Sequence, residues 1–189
     1  MLMGKTLNKN IMCVVHLKTT GPDIEEDVGY NICIMPLDMD YNPIIGSMFE
    51  RYIQTDHKKV RVEDRVFARK HSVVWDQLDE WIEDKMKKSQ IIPIVYDWPL
   101  TLKFLEKLFS PAGCKLYFTD KARDIKCIAN FFNDQYEANN LQPPFSKTTL
   151  RYILNTCDYP LNSKYNSLEA AYKISQAYKK LVCLNSFSL

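Results

Sequence analysis

The stretch CVVHLKTTG, residues Cys13–Gly21, decides how the rest of the chain is read. A run rich in β-branched and apolar residues leads straight into Thr19-Thr20-Gly21 and then Pro22-Asp23, so strand composition gives way to turn chemistry. A strand is predicted over Ile11–Leu17. Side chains two apart on a strand leave from the same face, so His16 and Lys18 project together from its end. Downstream, Tyr30–Pro36 reads as a second strand and Ile45–Gln54 as a third, with turn residues in Asp38–Pro43 between them. The three form a meander.

Trp75, Leu78, Trp81, Ile82 and Met86 recur at helical spacing, which makes the two tryptophans core residues before base-stacking ones. Ile91–Tyr96 reads as a strand, and Pro99 suits the first turn of a helix whose apolar stripe is Leu102, Leu105, Leu108 and Phe109. Lys115–Thr119 is predicted as a fifth strand and Ile125–Phe132 as a helix. Another helix covers Thr148–Cys157, opened by Ser146 or Thr148, and a last one covers Asn166–Leu181. Three strands followed by strands alternating with helices give an α/β fold, a mixed sheet of about five strands flanked by helices. The expectation is a single domain over 1–189, with 1–10 a mobile end and 184–189 an apolar tail suited to a partner or to self-packing.

With 189 residues, 46% of them hydrophobic, the chain can build a core without disulfides or metal. A net charge of +2 gives no support for strong sequence-independent binding to nucleic acid, although a local patch remains compatible with it. The mixed-sign run DHKKVRVEDR holds Lys58, Lys59, Arg61 and Arg65, candidate phosphate contacts on an otherwise solvated loop. Six cysteines without a CxxC pair point to reduced thiols in the cytoplasm. Neither a signal peptide nor a bilayer-spanning apolar run is found, so no membrane association is expected.

The opening stretch resembles the first motif of the DEDD-type 3′–5′ exonucleases, D-x-E-T-T-G, the superfamily of proofreading exonucleases, oligoribonuclease and RNase T. The Thr-Thr-Gly frame is intact, but His16 and Lys18 stand at its carboxylate positions. YDWPLTLKFL (Tyr96–Leu105) is similar to the second motif, with Thr101 at the metal-binding aspartate. YNSLEAA (Tyr165–Ala171) is similar to the third, with Tyr165 at the general-base histidine and Ala170 at the last aspartate. FARKHSVVWDQL and ARDIKCIANFF extend the likeness, placing His71 and Asp124 at a usual histidine and aspartate. The resemblance implies an RNase H-like exonuclease fold over nearly the whole chain.

Such enzymes need two divalent cations held by four carboxylates, and a base for the attacking water. A lysine ammonium ~4 Å from a divalent ion is repelled by several kcal/mol even at an effective dielectric of ~20. Hard cations also prefer oxygen to imidazole. With His16, Lys18, Thr101, Tyr165 and Ala170 as former-site positions, the expectation is no catalytic residue, no metal, no cofactor and no enzyme. Asp97 and Glu169 are the neighbours that could rebuild part of a site, Asp97 by pairing with Lys18. So eroded a site would suit a viral or phage chain. The first functional expectation is an inactive exonuclease-fold protein acting as an adaptor or inhibitor of another protein. A homodimer is a further use of that surface, since oligoribonuclease and RNase T dimerise. The alternatives are a non-cutting single-strand binder, with Lys18 on a phosphate, and an active exonuclease with a rearranged site.

Overall fold

A computed structural model describes residues 10–87 and 89–183. The expectations for the first nine residues and for the 184–189 tail lie outside the described residues. Five strands form one sheet in the order β3-β2-β1-β4-β5: β1 Ile11–Thr19, β2 Gly29–Pro36, β3 Phe49–Tyr52, β4 Ile91–Val95 and β5 Arg123–Asp124. β1, β2 and β3 pair antiparallel as a meander, while β4 joins β1 in parallel and β5 joins β4 in parallel. This is the expected mixed sheet flanked by helices.

The period-2 alternation of β1 separates two cores. Val14 faces a cluster with Ala170, Ala171, Ile174 and Ala177 of α7 (Ser167–Cys183). Cys13 and Val15 face the other cluster, with Val74, Leu78 and Ile82 of α2 (His71–Lys85) and Leu105 of α3 (Trp98–Phe109). Each fully enclosed valine, leucine or isoleucine among them contributes roughly 1.5–3 kcal/mol by leaving water, and each alanine less. By the same alternation His16 and Lys18 continue the α7-facing row beyond Val14, where the register with β2 shifts between Lys18 and Thr19. Trp75 and Trp81 are half-buried and pack on the α2–α3 core as expected; Trp75 stacks on Phe109 with centroids 5.1 Å apart.

Several boundaries differ from the sequence reading. The third strand is Phe49–Tyr52 only, because Pro43 and Gly46 (φ 82°) keep the chain turning before it. Lys115–Thr119 is not a strand: Pro111–Tyr117 is helix α4, started by Ser110, whose side chain accepts from the Gly113 amide. Short apolar runs do not distinguish a buried helix from a strand, and here the serine and proline upstream decide. The fifth strand is instead Arg123–Asp124, leading into α5 (Ile125–Ala138). Val62–Val66 of the charged run is helix α1. α6 (Leu150–Thr156) begins after Thr149, which makes no side-chain cap bond, so neither Ser146 nor Thr148 opens it.

Candidate functional site

A cleft of about 260 Å³ lies where β1 and β4 end against α3, α6 and Tyr165. His16, Lys18, Thr101 and Tyr165 all line it, together with Tyr96, Asp97 and Phe104. Four of the five positions singled out in the sequence therefore come together. Ala170 does not line it and is fully enclosed in the α7-side core.

Each side chain has a local reason for its pose. Lys18 sends its ammonium to the Tyr165 carbonyl oxygen and over the Tyr165 and Tyr30 rings, 4.7 and 5.8 Å from their centroids. Burial, with Arg61 nearby, lowers its pKa from the usual lysine range. It has no carboxylate within ion-pair distance among the described residues. His16 is buried, with Nδ1 3.1 Å from Ser167 Oγ, and Tyr165 meets its ring edge-on. Burial, and secondly the Lys18 charge, push the imidazole down to about 4, so it is neutral at pH 7. Thr101 is turned back to the Tyr96 carbonyl at 3.4 Å. Tyr165 keeps its proton more firmly than usual because it is buried.

The neighbouring acids are occupied elsewhere. Asp97, in a left-handed conformation at φ 60°, pairs with Lys126 at 2.7 Å and not with Lys18. Glu169 binds Asn162 and Lys173 on the outer side of α7. Asp124 accepts from the Asp97, Trp98 and Lys126 amides at 3.1, 2.8 and 2.9 Å, so it opens two helices at once. His71 is exposed at the start of α2, on the rim of a smaller hollow shared with Phe104 and Lys107.

Lys58, Lys59, Arg61 and Arg65 do not line the cleft. Lys58 is exposed, Lys59 pairs with Asp27 at 3.1 Å, and Arg61 grips Asp64 with two bonds of 2.9 and 2.8 Å. Arg65 donates to the His57 carbonyl at 2.8 Å. Of these four, only Arg61 stands near enough to act on the Lys18 charge, and Asp64 and Glu169 act on it in the opposite sense. Sequence reasoning missed Asn31 and Tyr30, which belong to no motif, and Ser167, which lies within YNSLEAA at a position with no chemical role there. Ser167 bonds Asn31 twice, through its amide at 2.7 Å and its hydroxyl at 2.6 Å, which ties the start of α7 to β2.

Solved structures share this arrangement of sheet and helices. The nuclease domain of 3′hExo, described as a DEDDh family member bound to rAMP, superposes with a TM-score of 0.63 at 14% identity, over 93% of this chain and 92% of that one. The fold is that of the DEDDh exonucleases. E. coli Exonuclease I in complex with a dT13 oligonucleotide matches with a TM-score of 0.67 at 10% identity, over 92% of this chain and 41% of that chain. The ExoI/SSB-Ct complex matches with a TM-score of 0.62 at 10% identity, over the same 92% and 41%. This chain thus spans less than half of the Exonuclease I chains. No family model and no curated protein matches the sequence.

The DEDDh neighbours correct the expectation that the chain is no enzyme. They are exonucleases, and the chain shares their fold. The residue types at positions 16, 18, 101, 165 and 170 do not decide whether a strand is cut. The two divalent cations that the DEDDh fold implies do not fit the side chains present. Lys18 puts an ammonium into the cleft, Asp97 is held by Lys126, and among the described residues no three His, Cys, Asp or Glu side chains gather to hold an ion. No helix among the described residues is long and apolar enough to cross a membrane.

Proposed function

We propose that the chain is a single exonuclease-like domain whose cleft binds single-stranded nucleic acid, with Lys18 contacting a phosphate. The observation that carries the reading is a lysine on the cleft wall with aromatic rings and a carbonyl around it and no ion-pair partner among the described residues. A phosphodiester supplies the missing charge, and the tyrosine rings beside it suit an unstacked sugar or base. Likeness in fold to a protein solved with dT13 supports a strand as the occupant. Fluorescence anisotropy with oligo(U) and oligo(dT), repeated across a salt series, tests it. Lys18→Ala is expected to weaken binding about tenfold and to reduce the salt slope by about one phosphate contact. Unchanged affinity and slope would sink the reading. The same reactions, run with Mg²⁺ and with chelator, score hydrolysis directly.

A second reading, a protein-binding surface for another protein or a second copy of the chain, has one observation behind it. Val62, Val66 and Phe67, on and just after α1, are 74%, 68% and 69% exposed within six residues. Sedimentation of the protein alone, and of a Val66→Ser, Phe67→Ser variant, separates self-association from the monomer. A reducing, cytoplasmic setting fits both readings, because burial pushes the Cys33 and Cys114 thiols up to about 12 and leaves them inert.

A further inference from the structure

His16 is a polar group whose hydrogen-bonding state follows from its neighbours. Ser167 Oγ lies 2.6 Å from the Asn31 carbonyl oxygen, which can only accept, so the single hydroxyl proton goes there. The contact between Ser167 Oγ and His16 Nδ1 then has the ring donating. A neutral imidazole with its proton on Nδ1 carries a lone pair on Nε2. Among the described residues nothing donates to Nε2. The only enclosed side-chain polar atom among them without a partner is Arg65 Nε, so Nε2 opens to the cleft that the ring lines.

The cleft therefore presents an acceptor at position 16 and a cation at position 18, two strand steps or about 6.6 Å apart along β1. An oxyanion satisfies the second and is repelled by the first. A hydroxyl next to a phosphate ester satisfies both. We infer that the cleft distinguishes RNA from DNA, a ribose 2′-hydroxyl donating to His16 Nε2 while Lys18 holds the adjacent phosphate. The inference rests on the single-strand reading above and names its substrate class. The 2′-hydroxyl is the choice among sugar hydroxyls because it recurs beside every phosphodiester of the strand, whereas a free 3′-hydroxyl occurs once and carries no phosphate on the neighbouring carbon of a DNA sugar. A deoxyribose leaves the Nε2 lone pair out of water with no donor, and this asymmetry creates the discrimination.

The test is competition binding at pH 7 in chelator, using the unaltered protein and four oligonucleotides: oligo(U), oligo(dU), 2′-O-methyl oligo(U), and oligo(U) ending in a 3′-deoxynucleotide. Oligo(U) and its 3′-deoxy form are expected to bind alike, about tenfold tighter than the deoxy and 2′-O-methyl strands, whose 2′ positions have no proton to donate. His16→Phe is expected to bring all four to one affinity. The ligand series on the unaltered protein stands by itself if that variant fails to fold. Equal binding of oligo(U) and oligo(dU), or 2′-O-methyl oligo(U) binding as well as oligo(U), overturns the inference and leaves the strand reading intact. A loss confined to the 3′-deoxy end overturns the 2′ assignment. No binding by any strand fails the strand reading itself.

Discussion

The cleft and the junction behind it, where β4, α3 and β5 meet α5, use polar side chains in opposite ways. At the junction Asp124 takes three backbone amides and Asp97 takes Lys126 and the Leu100 amide, so donors and acceptors meet within the protein. In the cleft, Lys18 has a carbonyl and two rings but, among the described residues, no carboxylate within ion-pair distance, and His16 keeps an open lone pair. The junction resembles a solved hydrogen-bonding problem, and the cleft a deliberately incomplete one. Stability should therefore depend on the first region and ligand binding on the second.

Three measurements bear on that contrast. The largest effect belongs to the junction. Asp124→Ala strands the amides that start α3 and α5, and chemical denaturation should show a loss of about 3 kcal/mol. A loss under ~1 kcal/mol would mean that water replaces the carboxylate freely and that the junction is no more saturated than the cleft.

The next effect is pH-dependent and lies in the cleft. His16 is held at about 4 in the folded protein, against an ordinary value of about 6.5. Between those values the unfolded chain binds the proton and the folded chain does not. The stability that His16 contributes is thus complete above pH ~6.5 and is lost as pH falls toward 4, by up to about 3 kcal/mol. Two-dimensional NMR of the imidazole would read the midpoint directly; a midpoint near 6.5 would show that the ring is solvated and that its tautomer is not fixed.

The smallest effect is Lys18→Met. Its stem still packs, and burial already disfavours the charge that is removed. Thermal denaturation should find stability within ~1 kcal/mol of the parent, with a gain as acceptable as no change, while strand affinity falls. A loss comparable to that of Asp124→Ala would make Lys18 a structural residue and erase the difference between the regions.

Much of the fold is legible in the chain. β1, β2 and β4 fall where apolar runs end in turn chemistry, and the helical spacing of Trp75–Met86 and Asn166–Leu181 is visible without coordinates. The cleft was legible as well, because a strand sends residues 16 and 18 to one side and the Thr-Thr-Gly frame marks where that strand stops. Lys115–Thr119 was misread because five residues of helix and strand share one pattern, and the deciding contact is Ser110 with the Gly113 amide. The role of Asp124 escaped notice for a similar reason: the amides it binds at Asp97 and Trp98 lie 27 and 26 residues away.

The sequence by itself determined the order of elements, the alternation that splits the core in two, and the face of β1 from which His16 and Lys18 project. Those properties follow from local spacing and residue chemistry. Only the tertiary structure decided how the same side chains are spent. It gave Asp97 to Lys126, turned Thr101 toward its own backbone, and brought Ser167 and Asn31, 136 residues apart, together so that one hydroxyl proton fixes the state of His16. A hydrogen bond has a direction that depends on every partner at once, and those partners meet only when the chain is folded.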